Sequence, residues 1–249
     1  MENNNLELLK KNLKYLGFGN SLSAALEAKI SQRLEQFKIG VSSEFDAFPK
    51  DGNQGKDKVN YELSFSKTPS SNFYFLDQLR VTLNDRIQNV FPFGKGNDVT
   101  AKEAYNLLRG ASIHKKAILN RQVDNAVLAP SEVGQVKEVS GERIESIWIK
   151  LDFEKLNEQG NFYYKKFYPD HGFHLETELR KYPIKELDSQ QEKEALISNI
   201  RRGNAANATL ENGQSVVIEA DPETKKIRFY DTAFKELFVS PIPTQEIDR

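Results

Sequence analysis

The chain has 249 residues, with 35 Lys and Arg against 36 Asp and Glu, 38 % hydrophobic residues, 10 % aromatic residues and no cysteine. This composition is too apolar for a disordered chain, and a net charge of -1 excludes a surface that is basic throughout. The missing thiols exclude disulfides, thiolate zinc sites and cysteine nucleophiles. The first residues hold no basic segment followed by an apolar run, and no stretch reaches the length of a membrane span. A cytoplasmic location without membrane contact is therefore expected.

Leu6, Leu9, Leu13 and Leu16 recur at helical spacing and predict a helix over 6–16, with Gly17 where a terminating glycine belongs. Asn20 or Ser21 is expected to cap a second stripe of Leu22, Leu26, Ile30 and Leu34, making a helical hairpin. The period then changes to two at Phe37, Ile39, Val41 and Phe45, and again at Val59, Tyr61, Leu63 and Phe65. A polar loop over 49–57 separates these two strands. Phe73, Phe75, Leu79, Val81 and Leu83 predict a third strand with a bulge, and Asn84-Asp85 turns it into a fourth over 86–93.

Thr100-Ala101-Lys102-Glu103 has the form of a capping box, followed by the apolar face of Ala104, Leu107 and Leu108 and by Gly110. A strand over 113–119 and a polar stretch over 120–142 precede Ile147, Ile149, Leu151 and Phe153, which alternate with Trp148 on the opposite face. A turn over 158–161 leads into a strand over 162–168. Leu175, Leu179 and Tyr182 fit a short helix ended by Pro183, and Ser189-Gln190-Gln191-Glu192 is a second capping-box pattern opening a helix that Gly203 stops. Asn212-Gly213 joins two strands, and Asp221-Pro222-Glu223-Thr224 turns into a third over 227–230.

The expected fold class is α+β: antiparallel β-meanders with an N-terminal helical hairpin and capped helices packed on the sheets. Residues 1–96 form the hairpin and first sheet, and 97–239 a second α+β unit that either stands apart or shares the first core. Residues 240–249, with Pro241 and Pro243, form an extended tail.

Two clusters carry chemistry. Phe162 to Tyr168 interleaves aromatics with lysines, and alternation places Tyr163, Lys165 and Phe167 on one strand face, where rings stack bases and amines neutralise phosphates. Lys115 and Lys116, within a run that also holds Lys102, Arg109 and Arg121, extend this candidate single-stranded nucleic-acid surface. The competing reading is a sheet strand whose aromatics pack inward. His171 and His174, three apart beside Asp170 and Glu176, would share one side of a helix as metal ligands, with caps and surface charge as the competing reading. Gly17-Phe18-Gly19 and Phe93-Gly94-Lys95-Gly96 lack phosphate-loop spacing and read as turns, and no nucleophile elbow or kinase signature occurs.

The segment from Val99 to Gly110 (Val-Thr-Ala-Lys-Glu-Ala-Tyr-Asn-Leu-Leu-Arg-Gly) resembles a family of bacterial proteins of unknown function, common in gut commensals and often encoded by mobile elements. Trp148 to Phe153, Tyr182 to Leu187 and the strands from Asn207 to Tyr230 are similar to the same family. The resemblance implies a setting and no catalytic motif. The function expected is a non-catalytic binding or adaptor module without cofactor, whose partner is a protein or a single-stranded nucleic acid. The alternative is a metal-assisted hydrolase using His171 and His174. Nothing in the sequence sets an oligomeric state.

Overall fold

The leucine stripe folds as α1 (Glu2–Leu13), which widens into one further turn over Lys14–Phe18 before the chain reverses into α2 (Ser23–Ser31). The structure is a computed structural model that describes residues 2–47, 55–69, 71–93, 99–120, 127–128 and 142–243. Gly17 adopts φ 97°, a left-handed conformation that lets the widened turn close. Leu9, Leu13, Leu16, Leu22 and Leu26 are buried, and Lys10 Nζ reaches Glu27 Oε1 at 2.7 Å to tie the two helices together. Two expectations are corrected. Leu22 itself occupies the N-cap of α2 without a side-chain cap, because Ser21 donates instead to Phe18 O at 2.7 Å and closes the preceding turn. Leu34 lies beyond the helix and is exposed, since Arg33 takes φ 55° and turns the chain away.

Alternating residues then build an antiparallel meander of β1 (Gln36–Asp46), β2 (Lys56–Lys67), β3 (Tyr74–Leu83) and β4 (Ile87–Pro92), hydrogen-bonded in that order. Asn84 and Asp85 both take positive φ, 52° and 54°, as a two-residue hairpin turn requires. The bulge in β3 falls at Asp77, between the pairs Phe65 with Leu76 and Ser64 with Gln78. It changes which residues face inward, so Tyr74 is buried and Phe75, expected inside, is exposed. Of the loop expected over 49–57, residues 49–54 lie outside the described residues, and Lys56 and Asp57 belong to β2.

The next layer begins with α3 (Ala101–Leu108) and continues into a sheet of β5 (Ile113–Asn120), β6 (Val127–Leu128), β7 (Glu142–Leu156) and β8 (Phe162–Phe167), in the order β6-β5-β7-β8. The short β6 pairs with β5 inside the stretch read as polar. Ile113, Ile147, Ile149 and Leu151 face one way and join the core made with the helical hairpin, the first sheet and α3. Trp148 faces the other way into a second core. Phe153 does not follow its alternating partners, because pairing with β8 is irregular between Asp152 and Leu156, and its ring is exposed while still meeting Phe162 edge-on at 4.9 Å.

The second core is closed by α4 (Leu175–Leu179), α5 (Gln190–Arg201) and a sheet of β9 (Ala206–Thr209), β10 (Ser215–Asp221), β11 (Lys226–Tyr230) and β12 (Glu236–Leu237), again antiparallel. The fold is therefore α+β, with three antiparallel sheets and an N-terminal pair of helices. No helix among the described residues is long and apolar enough to cross a membrane. Ser189 occupies the N-cap of α5, but its hydroxyl makes no capping bond, so the second capping box is not formed. The sequence supplied the right residue types, and only the backbone carbonyl is used, accepting from Lys193 N at 2.9 Å. Most of the boundary region expected near residue 97 lies outside the described residues; Phe91 before it and Leu107 after it sit in the same core.

The box at Thr100 does form: Glu103 N donates to Thr100 Oγ1 at 3.3 Å and Thr100 N donates to Glu103 Oε2 at 2.9 Å. Thr100→Ala is expected to cost about 1 kcal/mol, read as a lower denaturant midpoint at unchanged slope. Gly203, with φ 75°, ends α5 where it packs on β5, and an added Cβ would lie 2.9 Å from both Ile113 Cγ2 and Ser112 O. Left-handed strain alone costs about 1–3 kcal/mol, so Gly203→Ala should destabilise by at least that much, with a clear fall in Tm.

Candidate functional site

A helix buried on nearly every side must satisfy each polar group with a partner from another element. In α3 the buried positions include Glu103, only 6 % exposed, together with Tyr105 and Asn106. Glu103 Oε2 accepts from Thr100 N at 2.9 Å, Thr100 Oγ1 at 3.0 Å and Lys115 Nζ at 2.6 Å, so one oxygen joins the helix cap to β5. Tyr105 donates its hydroxyl to Asp57 Oδ2 at 2.8 Å, and Tyr61 donates to Ala101 O at 3.1 Å. Burial raises the pKa of both phenols.

At the other end of α3, Asn106 Nδ2 donates to Arg202 O at 2.9 Å and to Asn204 Oδ1 at 2.8 Å. Arg109 donates to Gly203 O at 2.6 Å and pairs with Glu219 Oε1 at 2.5 Å, both side chains largely shielded from solvent. These bonds fix the turn after α5 beside α3.

Two adjoining clefts result. The first, about 470 Å³, lies between the α1–α2 connection, β1 and the N-terminus of α3. The second, about 430 Å³, lies between α3, β5 and α5, and both are lined by Glu103 and Arg202. Volumes of this size match small-ligand sites. In the first cleft Lys102 Nζ sits 4.1 Å from the Phe45 ring centre and 4.5 Å from that of Tyr105, with the two rings stacked at 4.5 Å. Lys102 is exposed as a residue, yet desolvation among these groups and then the Arg109 charge lower its amine to about 8. It remains protonated at neutral pH. Tyr15, 53 % exposed, stands at the same cleft.

The nucleic-acid residues read from the sequence fall on different surfaces. Register with Asp152, Lys150 and Trp148 puts Tyr163, Lys165 and Phe167 on the Trp148 face of the central sheet, as alternation required. Only Tyr163 is open there, at 54 % exposure. Lys165 pairs with Glu223 Oε1 at 2.8 Å, and Phe167 packs against the second core and the His171 ring. Lys150 also reaches Glu223, at 2.9 Å, and the hydrogen bonds from Lys165 and Lys150 hold that carboxyl down to about 2. Lys115, paired with Ile147, points to the first core and to Glu103, whereas exposed Lys116, paired with Ser146, is on the Trp148 face. Arg121 lies outside the described residues.

His171 and His174 do not share a helix. His171 closes a short turn over Pro169–His171, Gly172 turns the chain at φ 86°, and His174 is the N-cap residue of α4. His171 Nε2 donates to the Pro222 carbonyl, 3.0 Å away. Among the described residues no group of three or more His, Asp or Glu side chains is placed to hold a metal ion. The cleft residues that sequence reasoning missed are Tyr15 and Arg202. The one signal for the latter was the pair Arg201-Arg202 before Gly203, since a helix end presents its last side chains beside whatever the glycine packs on.

Comparison of the chain with protein-family models, with curated proteins and with solved structures finds no match.

His114 lines the second cleft with its ring 5.1 Å from that of Trp148. Burial first, and the Arg201 charge second, lower its pKa from 6.5 to about 4. The unfolded chain therefore binds this proton more readily, so His114 contributes stability above pH 6.5 that is lost as the pH falls toward 4. A shift of this size corresponds to about 3 kcal/mol at most. His114→Gln should flatten the decline in denaturant midpoint between pH 6.5 and 4 relative to the parent chain.

Proposed function

We propose that this protein is a non-catalytic binding module, an adaptor whose partner presents negative charge to the first cleft. The observation that carries the reading is a pair of cations with no carboxylate at ion-pair distance among the described residues. Among the described residues neither Lys102 nor Arg202 has an ion-pair partner, although both line the same cleft. By contrast, Lys115 and Lys165 are bound to Glu103 and Glu223. Two cations lining one cleft without a carboxylate of their own attract an anion to the space between them. Three side chains capable of acid–base or nucleophilic chemistry are already engaged: the Thr100 hydroxyl in the helix cap, Glu103 by Lys115, and His171 by Pro222.

Protein and single-stranded nucleic acid are the two partner classes in this reading. The mobile-element setting follows from the family resemblance carried by Val99 to Gly110.

The test is fluorescence anisotropy with a labelled mixed-sequence oligonucleotide and a labelled Asp/Glu-rich peptide over a range of salt. At least one should bind, with affinity falling as salt rises, and the Lys102→Ala/Arg202→Ala double variant should bind at least tenfold more weakly. Absence of binding at low salt overturns the reading. Binding that responds instead to Tyr163→Ala and Lys165→Ala moves the ligand surface to β8. Stoichiometric zinc or manganese in the purified protein, lost in His171→Ala, would replace the binding module by a metal-assisted hydrolase.

A further inference from the structure

Resting on the binding reading above, the geometry points to a ligand class: we infer that the cleft beside α3 takes the phosphate monoester of a nucleoside, free or as the 5′ end of a nucleic-acid strand. Charge, surroundings and the neighbouring cleft each bear on this assignment.

The charged side chains lining the cleft are Lys102, Lys115, Arg202 and Glu103. Lys115 and Glu103 neutralise each other at 2.6 Å, which leaves two positive charges. A phosphate monoester carries about 1.5–2 negative charges at pH 7, whereas a single carboxylate or a phosphodiester link carries about one, so the monoester is the closer match. Arg202 supplies a planar fork of donors suited to phosphate oxygens, and Lys102 supplies a point charge. Asp46 and Asp57 also act on Lys102; Lys56, 2.5 Å from the first, offsets it, whereas the second keeps its charge under the Tyr105 hydrogen bond at 2.8 Å but does not line the cleft.

The surroundings of the cations suit a ring. Tyr15 lines the cleft with much of its surface open, and Leu16, Phe18 and Val41 add apolar lining. An exposed aromatic beside apolar walls accepts a base by stacking, as single-strand binders do.

The second cleft explains why the ligand is a terminus or a free nucleotide rather than a continuous chain. Its further cations, Lys193 and Arg201, both lie within 3.5 Å of Glu176, and Glu194 lines the same space. With Glu103 already held by Lys115 and Arg202 shared with the first cleft, Glu176 and Glu194 balance Lys193 and Arg201 there. A following phosphate would find there no cation without a carboxylate beyond the shared Arg202.

Isothermal titration calorimetry on the full chain tests this with 5′-AMP, adenosine, inorganic phosphate, and a tetrathymidylate with and without a 5′-phosphate. AMP should bind at one site at least tenfold more tightly than adenosine or phosphate alone. The phosphorylated strand should likewise exceed its 5′-hydroxyl counterpart. A free nucleotide is the source if AMP equals the phosphorylated strand, and a strand end is the source if the strand binds at least tenfold more tightly.

Lys102→Ala and Arg202→Ala should each weaken the phosphorylated ligands tenfold or more, and Tyr15→Ala should weaken AMP more than phosphate. Lys181→Ala, at an exposed position paired with Glu178, should leave both unchanged. Circular dichroism confirms that each variant is folded.

The assignment is overturned if phosphorylated ligands bind no better than adenosine and the 5′-hydroxyl strand, or if folded Lys102→Ala and Arg202→Ala proteins retain full affinity. An acidic peptide whose binding still depends on Lys102 and Arg202, with AMP and the phosphorylated strand inert, overturns the nucleotide class and leaves the binding module standing. Failure of every anion overturns both.

Discussion

Strand β7 buries apolar side chains on both faces, three on one and Trp148 on the other, and the arrangement of the other layers follows from that. Its odd positions Ile147, Ile149 and Leu151 lie in the first core, while Trp148 lies in the second. A strand of this kind is stable only with a layer on each side, which is why α3 and the first sheet occupy one face and α4, α5 and the third sheet the other. Where the alternation on the Trp148 face passes to Lys150, the third sheet continues the contact by charge, with Glu223 held between Lys150 and Lys165 at 2.9 and 2.8 Å.

The wedged position of α3 explains the clefts. A helix of eight residues with this much burial cannot place its polar side chains in water, so Glu103, Tyr105 and Asn106 take partners from β5, β2 and the turn after α5. These contacts draw the neighbouring elements against the middle and end of the helix. Its N-terminus is left between the α1–α2 connection and β1, which approach without closing on it, and the open space is the cleft lined by Lys102. Cleft and helix cap are thus two consequences of the same packing.

The readable parts of the fold were those in which neighbouring residues decide the structure. The Thr100 box, the Asn84-Asp85 turn and the alternation around Trp148 all depend on residues within a few positions of one another. The misread parts depended on something further off. Ser189 has the same residue pattern as Thr100, but Glu103 is also fixed by Lys115 and buried against the first core, whereas the Ser189 hydroxyl remains without a cap bond. Phe75 and Phe153 each continue a correct alternation past a pairing irregularity that changes the face. The candidate site suffered most, because Lys165 and Lys115 read as available charges until their carboxylates are known.

By itself the sequence determined the elements: a helical hairpin from the leucine spacing, meanders from period-two runs joined by short turns, and a capped central helix. It also placed Trp148 on the face of β7 opposite Ile147, Ile149 and Leu151. Only the tertiary structure decided which layer meets each face and which charges are cancelled. Glu223 reaches Lys165 across 58 positions, and Lys102 shares a cleft with Arg202 although they stand far apart in the chain. Hydrogen bonds of turns and caps form within a few residues and leave a local pattern. An ion pair or a cleft between distant segments leaves none, because the identity of each partner is fixed only when packing brings the segments together.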